Sequence, residues 1–204
     1  MASQYKDLRQ VSAIVLAAGQ SQRFKSCKME AQFNISSPSV LDLSLRSLGE
    51  DFFAEIILVG QANTKFTYQS PKVKMLVNTK PEKGVGYSLG LAVPHLMERS
   101  SEVAIFLGDM PFVDMTECQL MLDELIRRRL DFIRPLNIPE LGHPVIAKRS
   151  SLEKLFVNQG ENLNIKSAFL DPEYRSFYYE SLKAGNYFDV DYRSSSMRDF
   201  LGSL

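Results

Sequence analysis

The sequence predicts an α/β fold with a mostly parallel sheet and helices on both of its faces. Short apolar runs of strand length alternate with helix-type patterns through the first 130 residues. Such alternation is typical of parallel sheets, because each helix returns the chain to the same end of the sheet. The strand-like runs are apolar throughout rather than at every second position, which indicates burial between two helical layers.

The strands predicted in this first part are short runs rich in Val, Ile and Leu. Runs of this length and composition are typical of buried strands. We predict strands at residues 11–18, 55–59, 73–77 and 103–107.

Three segments beside these strands have the spacing of amphipathic helices. Residues 38–49 carry apolar side chains three or four positions apart and end in a glycine. Residues 84–98 begin with glycines, and Pro94 is expected to interrupt or kink that helix. A third helix is predicted from Thr116, as its N-cap, to the arginines that end at residue 129.

The later part of the chain mixes short strands with short helices. Strands are predicted at 131–136 and 143–147 around a turn at 139–142, and a helix follows near 150–157. The tail contains two strand-like segments, RSFYYE and YFDV, and a final short helix near 196–201.

Length and charge favour one domain without a nucleic-acid or membrane surface. The 204 residues carry 24 Lys plus Arg and 24 Asp plus Glu, so no basic excess favours an anionic polymer or lipid. We expect a single domain at 11–204 after an N-terminal extension at 1–10. Two cysteines, Cys27 and Cys118, give no disulfide framework, and no signal peptide is evident, so a cytoplasmic protein is expected.

The loop after the first strand has the composition of a phosphate-binding loop. The segment Leu16-Ala17-Ala18-Gly19 is followed by Arg23 and Lys28. Small residues let a ligand approach the backbone N–H groups, and the two cations would neutralise a polyphosphate. The alternative is a tight strand-to-helix turn beside two surface cations.

A carboxylate follows the fourth predicted strand directly. Asp109 lies between Gly108 and Met110-Pro111, at the carboxyl end of a buried run, where ligands of parallel sheets bind. A carboxylate in that place suits Mg²⁺, which takes one or two carboxylates together with substrate phosphates. The alternative is an aspartate that caps a helix or forms an Asx-turn.

These two loops together resemble those of the MobA-like NTP transferases. Three further segments agree in order with that family: Asn78 before Gly84-Val85-Gly86-Tyr87-Ser88-Leu89, then Gly142-His143-Pro144-Val145, then Phe188-Asp189-Val190-Asp191. The GHPV and late acidic segments, and the LAAG form of the first loop, resemble the molybdenum cofactor cytidylyltransferases. The resemblance implies a Rossmann-like three-layer sandwich, nucleotide-diphospho-sugar transferase-like, with one antiparallel strand in the sheet.

The resemblance also implies the roles of individual residues. The nucleotide would be held by Leu16, Ala17, Ala18, Gly19, Arg23, Lys28, Asn78 and Ser88. The catalytic residues would be Arg23, Lys28 and Asp109, and the ligands of Mg²⁺ would be Asp109 and Asp191. The acceptor would be held by Gly142, His143 and Pro144.

The implied reaction is transfer of a nucleoside monophosphate, CMP from CTP, to a phosphorylated acceptor with release of pyrophosphate. Molybdopterin cofactor is the expected acceptor, and a recipient molybdoenzyme is a candidate partner. Departures from the family pattern at Lys25, Leu141 and Asn162 leave two alternatives open. One is the same reaction on a sugar phosphate or another phosphorylated acceptor, and the other is a catalytically degenerate protein that binds nucleotide or cofactor.

Other candidate residues carry weaker signals. His95, within a predicted helix, is interpreted as structural or surface, whereas His143 is open between a hydrogen-bonded strand residue and an acceptor ligand. Cys27 is interpreted as incidental because no His or Asp partner is evident. The three arginines at 127–129 are interpreted as a solvated helix end.

Overall fold

The structure, a computed structural model, describes residues 10–19, 28–32, 37–49, 51–160 and 163–188. The strands are β1 (Ser12–Leu16), β2 (Glu55–Gly60), β3 (Val73–Val77), β4 (Glu102–Leu107), β5 (Phe132–Asn137), β6 (Glu140–Leu141), β7 (Val145–Lys148) and β8 (Ser176–Glu180). The helices are α1 (Val40–Ser47), α2 (Gly84–Ala92), α3 (Met115–Arg128) and α4 (Arg149–Gln159).

The strands form one mixed sheet. β1 pairs in parallel with β2 and β4, and β2 pairs in parallel with β3. β7 lies antiparallel between β4 and β5, and the short β6 pairs antiparallel with β5. β8 pairs with β5 in parallel. The predicted α/β class, a mostly parallel sheet with an antiparallel strand, is confirmed.

The register of the central strands brings three loops to one edge of the sheet. Leu16, the last residue of β1, is paired with Val59 of β2 and with Leu107 of β4. The loops after these strands therefore begin at one level, at the carboxyl ends where α/β sheets bind ligands.

Two apolar cores, one on each face of the sheet, complete the three layers. Successive residues of β1 enter different cores because side chains alternate along a strand. The first core contains Val15, Leu41, Leu45, Phe106 and Met121. The second contains Ile14, Leu89, Ile105, Leu152 and Leu155. Helices α1 and α3 thus cover one face, and α2 and α4 cover the other.

The helix boundaries correct the predicted N-cap of α3 and the predicted end of α2, and they confirm the predicted interruption at Pro94. α3 begins at Met115, and its N-cap is Asp114 rather than Thr116, because the Asp114 carboxylate accepts the N–H of Glu117 (2.9 Å). α2 ends at Ala92, and a 3-10 turn at Val93–His95 follows, since Pro94 has no N–H to continue the helix. None of the helices in the described ranges is long and apolar enough to cross a membrane.

The tail agrees with the prediction only in part. RSFYYE contains β8, as expected. The strand predicted for YFDV is wrong for Tyr187 and Phe188, because both N–H groups donate to the carbonyl of Ala184 (3.0 Å each) and close a turn. Residues 189 and 190, and the helix predicted near 196–201, lie outside the described residues.

Candidate functional site

The loop after β1, which we call the β1 loop, is described for residues 17–19. The N–H of Ala17 donates to the carbonyl of Val59 (2.8 Å), so pairing with β2 continues past the end of the strand. Leu16, Ala17 and Ala18 are buried, whereas Gly19 is exposed. A Cβ added at Gly19 would meet no atom of the described residues within 4 Å, so packing against them does not require glycine there. The loop therefore combines a fixed base with an open end.

A glutamine after β2 holds the open end of the β1 loop. The Nε2 of Gln61 donates to the carbonyl oxygens of Ala18 (3.2 Å) and Gly19 (3.3 Å). The sequence analysis missed Gln61, because its role depends on the adjacency of β1 and β2 and no local pattern marks it. Gln61 therefore positions the backbone that the sequence analysis assigned to the nucleotide.

The loop after β4, the β4 loop at 108–111, touches the β1 loop. The N–H of Gly108 donates to the carbonyl of Leu16 (2.9 Å). A Cβ added at Gly108 would lie 2.9 Å from the Cβ of Ala17, so no larger residue fits between the loops without movement. Asp109, the next residue, is partly buried at this junction. The structure thus brings the predicted metal ligand Asp109 beside Ala17, a predicted nucleotide-binding residue.

Three of the predicted charged residues are less fully described. Arg23 and Asp191 lie outside the described residues, and for Lys28 the structure describes the backbone alone. Lys28 begins a 3-10 turn at Lys28–Glu30. The sulfur of Met29 lies 3.3 Å from the Cβ position of Gly108, so this turn packs against the β4 loop.

Asp109 is the described carboxylate that suits a metal ion at this edge. No group of three His, Cys, Asp or Glu residues that could hold a metal comes together within the described ranges. Mg²⁺ does not need such a group, since it binds through one or two carboxylates, substrate phosphates and water. The partly buried Asp109 fits that mode of binding.

Asn78 and Ser88 are buried and contact each other. The Nδ2 of Asn78 donates to the Oγ of Ser88 (2.9 Å), and its Oδ1 accepts the N–H of Lys80 (2.7 Å). These bonds fasten the start of α2 to the end of β3. In the described structure the pair therefore holds the entry to α2 in place.

A cavity of about 580 Å³ opens beside the two loops. It lies between α2, the carboxyl ends of β1 and β4, and residues 163–166. Apolar side chains form most of its wall: Leu16, Leu89, Ile105, Leu107, Val145 and Leu163. The charged and polar residues on it include Lys83, Arg134, His143 and Lys166. The cavity thus joins the predicted nucleotide side to the predicted acceptor side.

His143, one of the three residues predicted to bind the acceptor substrate, lines this cavity. Its Nδ1 lies 3.3 Å from the carbonyl oxygen of Ile105. Burial and the neighbouring Arg134 lower the pKa of His143 to about 4, and the bond to Ile105 offsets this in part. His143 is therefore neutral at pH 7, with Nδ1 donating to Ile105 and Nε2 able to accept a hydrogen bond.

The other two predicted acceptor residues shape the turn that carries His143. A Cβ added at Gly142 would lie 2.5 Å from the carbonyl oxygen of Asn186, so only glycine fits there without backbone movement. Pro144 is buried after a cis peptide bond with His143. Neither Gly142 nor Pro144 is among the described residues that line the cavity.

An arginine that the sequence analysis did not single out also faces the cavity. Arg134, in β5, is 4% exposed, and its Nη2 donates to the carbonyl oxygen of Gly142 (3.0 Å). Its Nε has no hydrogen-bond partner among the described residues. Burial lowers the pKa of Arg134, and Tyr178 and Tyr187 offset this in part. A charged residue within the apolar run FIRPL was a sequence signal that could have identified it.

Asn186, which lies shortly before the late acidic motif, is bonded both to the turn with His143 and to the start of α3. Its backbone carbonyl accepts the N–H of His143 (2.8 Å), and its Oδ1 accepts the N–H of Asp114 (3.0 Å). Its Nδ2 donates to the buried carboxylate of Glu117, which also accepts from Ser181 (2.5 Å). Burial raises the pKa of Glu117, and the bond from Ser181 opposes this. Asn186 was also missed, because its partners are far away in sequence.

Comparison with known protein families identifies the domain to which this sequence is similar. The sequence matches the MobA-like NTP transferase domain over residues 13–170. This range includes the β1 loop, the β4 loop and the turn with His143.

A curated relative adds a specific activity for a similar protein. A probable molybdenum cofactor guanylyltransferase of Natranaerobius thermophilus is 30% identical over 127 residues, which is 62% of this chain. The alignment spans about three fifths of that relative's length (60%).

Solved structures share the fold at low sequence identity. The manganese complex of Rv0371c from Mycobacterium tuberculosis H37Rv superposes with a TM-score of 0.63 at 19% identity, covering 96% of this chain and 100% of that one. The 2-C-methyl-D-erythritol 4-phosphate cytidylyltransferase of Francisella tularensis gives 0.67 at 14% identity, with coverages of 95% and 98%. At these identities the likeness shows the fold alone.

Proposed function

The chain belongs to the MobA-like NTP transferase family, and on that premise we propose that it transfers CMP from CTP to the phosphate of a molybdopterin-type cofactor. The single observation that carries this proposal is the contact between the β1 loop and the β4 loop. The Cβ of Ala17 lies 2.9 Å from the Cβ position of Gly108, and Asp109 follows at once. A nucleotide on the first loop would therefore have its phosphates beside a carboxylate.

The proposed roles of the described residues follow from their positions. The backbone of Ala17, Ala18 and Gly19 contacts the nucleotide, and Gln61 keeps that backbone in place. Asn78 and Ser88 hold the start of α2 near the nucleotide. Arg23 and Lys28, which follow the β1 loop in the sequence, are proposed to neutralise the triphosphate.

The proposed chemistry is attack by a phosphate oxygen of the acceptor on the α-phosphorus of the nucleotide. The new oxygen–phosphorus bond forms as the bond to the β-phosphate breaks, and pyrophosphate leaves. Mg²⁺, when bound, offsets the negative charge on the phosphate oxygens during transfer. The attacking phosphate is already ionised, so no strong base is required and a neutral His143 is sufficient.

Asp109 and Asp191 are proposed to hold the Mg²⁺ ion. The support for Asp191 is the packing of the last described segment. The ring of Phe188 lies 5.8 Å from the ring of Phe112, which is three residues after Asp109. Asp191 follows Phe188 by three residues, so the described chain leads toward Asp191 from a point beside Phe112.

CTP is proposed as the nucleotide because the β1 loop has the LAAG form of the cytidylyl branch. The guanylyltransferase among the relatives makes GTP the competing nucleotide. The acceptor proposal depends on Gly142, His143 and Pro144, of which His143 lines the cavity. A sugar phosphate is the alternative acceptor.

Pyrophosphate release tests the proposal. The protein is incubated with Mg²⁺, molybdopterin and each of the four NTPs in turn. We expect release with CTP, and Asp109→Ala should lower the rate about 100-fold, since a group that stabilises developing charge is worth that much. Asp51→Ala, which removes an exposed carboxylate far along the chain from both loops, should leave the rate unchanged.

Other outcomes of this assay contradict the proposal in distinguishable ways. Release with GTP alone would make the chain a guanylyltransferase. Release with glucose 1-phosphate but not molybdopterin would change the acceptor. No release with any acceptor, together with an increase of Tm on addition of nucleotide, would identify a binding protein without transferase activity.

A further inference from the structure

The cavity beside the two loops combines an apolar wall with a cationic side. Leu89, Ile105, Val145 and Leu163 form part of the apolar wall. Arg134 and Lys166 lie on the same cavity, and no Asp or Glu is among the described residues that line it. A ligand that fits this cavity would bury an apolar body and carry negative charge.

Arg134 is held there at an energetic cost. Its side chain is 4% exposed, and its hydrogen bond to the carbonyl of Gly142 (3.0 Å) uses only Nη2. Its Nε meets no acceptor, and none of its contacts within the described ranges is an ion pair with a carboxylate. Burying a cation with so few partners destabilises a fold, and a residue kept at such a cost is typical of functional sites.

The backbone around Arg134 fixes where its guanidinium points. β5 is paired with β7 through Ile133 and with β8 through Arg134 itself, so the residue sits between two neighbouring strands. The bond to Gly142 ties the guanidinium to the turn that carries His143. The ring of Phe169 lies 5.8 Å from the guanidinium carbon. The position of the charge is thus set before any ligand arrives.

We propose that Arg134 binds the phosphate of the acceptor and that the acceptor is an amphipathic phosphomonoester with a flat or aliphatic body. This inference rests on the proposed function and adds the residue that holds the acceptor phosphate. The body of the acceptor packs against Leu89, Ile105 and Val145 while its phosphate meets Arg134. A planar guanidinium can donate two parallel hydrogen bonds to a phosphate, and the bond to Gly142 uses only one N–H of Nη2.

The apolar wall makes the cavity selective against sugar phosphates. A bound sugar would place several hydroxyl groups against leucine, isoleucine and valine side chains, where they find no partner. An unpaired buried hydroxyl disfavours binding strongly. A phosphate on an aromatic or aliphatic body avoids that cost.

Binding of simple phosphate esters tests this inference without any enzymatic turnover. Affinities for phenyl phosphate, glucose 1-phosphate and inorganic phosphate are measured by calorimetry on the full chain. We expect phenyl phosphate to bind at least tenfold more tightly than glucose 1-phosphate. Equal affinities for the two esters, or no binding of phenyl phosphate, would overturn the proposed acceptor class.

Three arginine variants assign the binding to Arg134. Arg134→Leu should lower the affinity for phenyl phosphate at least tenfold. The Tm of this variant without ligand should stay equal or rise, because a poorly paired buried charge is removed. Arg134→Lys should retain part of the affinity, since lysine keeps the positive charge but cannot donate two parallel hydrogen bonds from one planar group. Arg127→Leu, a control that removes an exposed arginine paired with Glu124, should change nothing.

A different result for Arg134→Leu would overturn the inference. A lower Tm with unchanged phenyl phosphate affinity would show that Arg134 serves the fold. Binding of CTP with Mg²⁺ is measured on the same variant and should be unchanged. Failure of the proposed nucleotidyl transfer would show instead as absent pyrophosphate release by the wild type, whatever the result with phosphate esters.

Discussion

Gly19 and Gly108 are both small loop residues, and the structure assigns them different reasons for being small. Gly108 is required by packing, because a Cβ there would press on Ala17. Gly19 has no described atom near its Cβ position, and its φ is not in the left-handed region, so packing against the described residues tolerates alanine. We propose that glycine is needed at position 19 because a ligand approaches the backbone there.

Gly19→Ala is therefore expected to separate folding from nucleotide binding. The free energy of unfolding in urea should change by less than about 0.5 kcal/mol, as for other substitutions that touch nothing. The affinity for CTP with Mg²⁺ should fall at least tenfold, because the added methyl group lies where the nucleotide approaches. An unchanged affinity would contradict the assignment of the β1 loop.

His143 gives the fold a pH dependence of known sign. Its folded-state pKa of about 4 lies below the unfolded value of about 6.5. The unfolded chain therefore binds the proton first as the pH falls. The stability that neutral His143 contributes is fully present above pH 6.5 and is lost as the pH falls from there toward 4.

Between pH 8 and pH 5, protonation of His143 is expected to lower the free energy of unfolding by about 2 kcal/mol, because proton binding is linked to unfolding. Urea unfolding at the two pH values, for the wild type and for His143→Gln, measures it. The variant cannot titrate at this position. Over the same pH range its free energy of unfolding should therefore fall about 2 kcal/mol less than that of the wild type. Equal pH dependence in the two proteins would show that His143 is solvated and ordinary.

The sequence identified single residues best where their position along one strand was enough. Asp109 follows a buried apolar run, and its place at the carboxyl edge of the sheet follows from that alone. Gln61, Arg134 and Asn186 act through partners that are distant in sequence. Their roles depend on which strands are neighbours, which no local pattern states.

At the level of elements, α1 is anchored at its N-terminus by one buried aspartate. Ser39 caps the helix, and the Asp42 carboxylate accepts from the Ser39 hydroxyl (2.8 Å). The same carboxylate accepts the N–H groups of Thr67 (2.6 Å) and Tyr68 (2.7 Å). Asp42 thus ties α1 to the chain segment before β3.

Asp42→Ala should lower the free energy of unfolding by about 2–4 kcal/mol, because two backbone donors lose their acceptor. Burial alone would raise the pKa of Asp42, but the bonds from Ser39, Thr67 and Tyr68 outweigh it and the pKa is lowered. Its stabilisation is therefore present above its unfolded pKa and is lost as the pH falls below that value. Urea unfolding at pH 7 is the measurement.

The exposed Asp51 supplies the control for that experiment, since Asp51→Ala should change stability by less than about 0.5 kcal/mol. A small effect of Asp42→Ala would mean that water replaces the carboxylate. In that case α1 would not depend on this anchor.

Element boundaries differed from prediction where competing side chains were available. Asp114 and Thr116 both suit an N-cap, and the bond from Glu117 to Asp114 decides between them. Tyr187 and Phe188 have strand composition, yet the hydrogen bonds of the turn after Ala184 keep them out of the sheet. Local composition could not decide either case, because tertiary contacts select one alternative.

For the whole molecule, the order of the strands explains why one edge of the sheet carries the described residues that have proposed roles. The parallel half, β3-β2-β1-β4, brings the β1 and β4 loops together, and the alternating sequence predicted that half. The antiparallel β7 then brings His143 beside them, and β5 adds Arg134. The order of β7, β5 and β8 could not be predicted from the sequence, because these strands pair with partners that are far away along the chain.

The net charge of the chain is zero, so the proposed binding of a triphosphate would have to depend on local cations. Arg23 and Lys28 are proposed for the nucleotide, and Arg134 for the acceptor. Two anionic substrates would then meet at Asp109 with a bound Mg²⁺ between them. This arrangement is the central claim, and it concerns the fate of one phosphorus atom.

That atom can be followed directly with CTP radiolabelled at its α-phosphorus. The protein is incubated with the labelled CTP, Mg²⁺ and molybdopterin, and the products are separated and identified by mass. We predict that the label appears in a cofactor joined to CMP, with unlabelled pyrophosphate released alongside. Label recovered only as CTP, or as free CMP in the presence of the acceptor, would contradict nucleotidyl transfer by this protein.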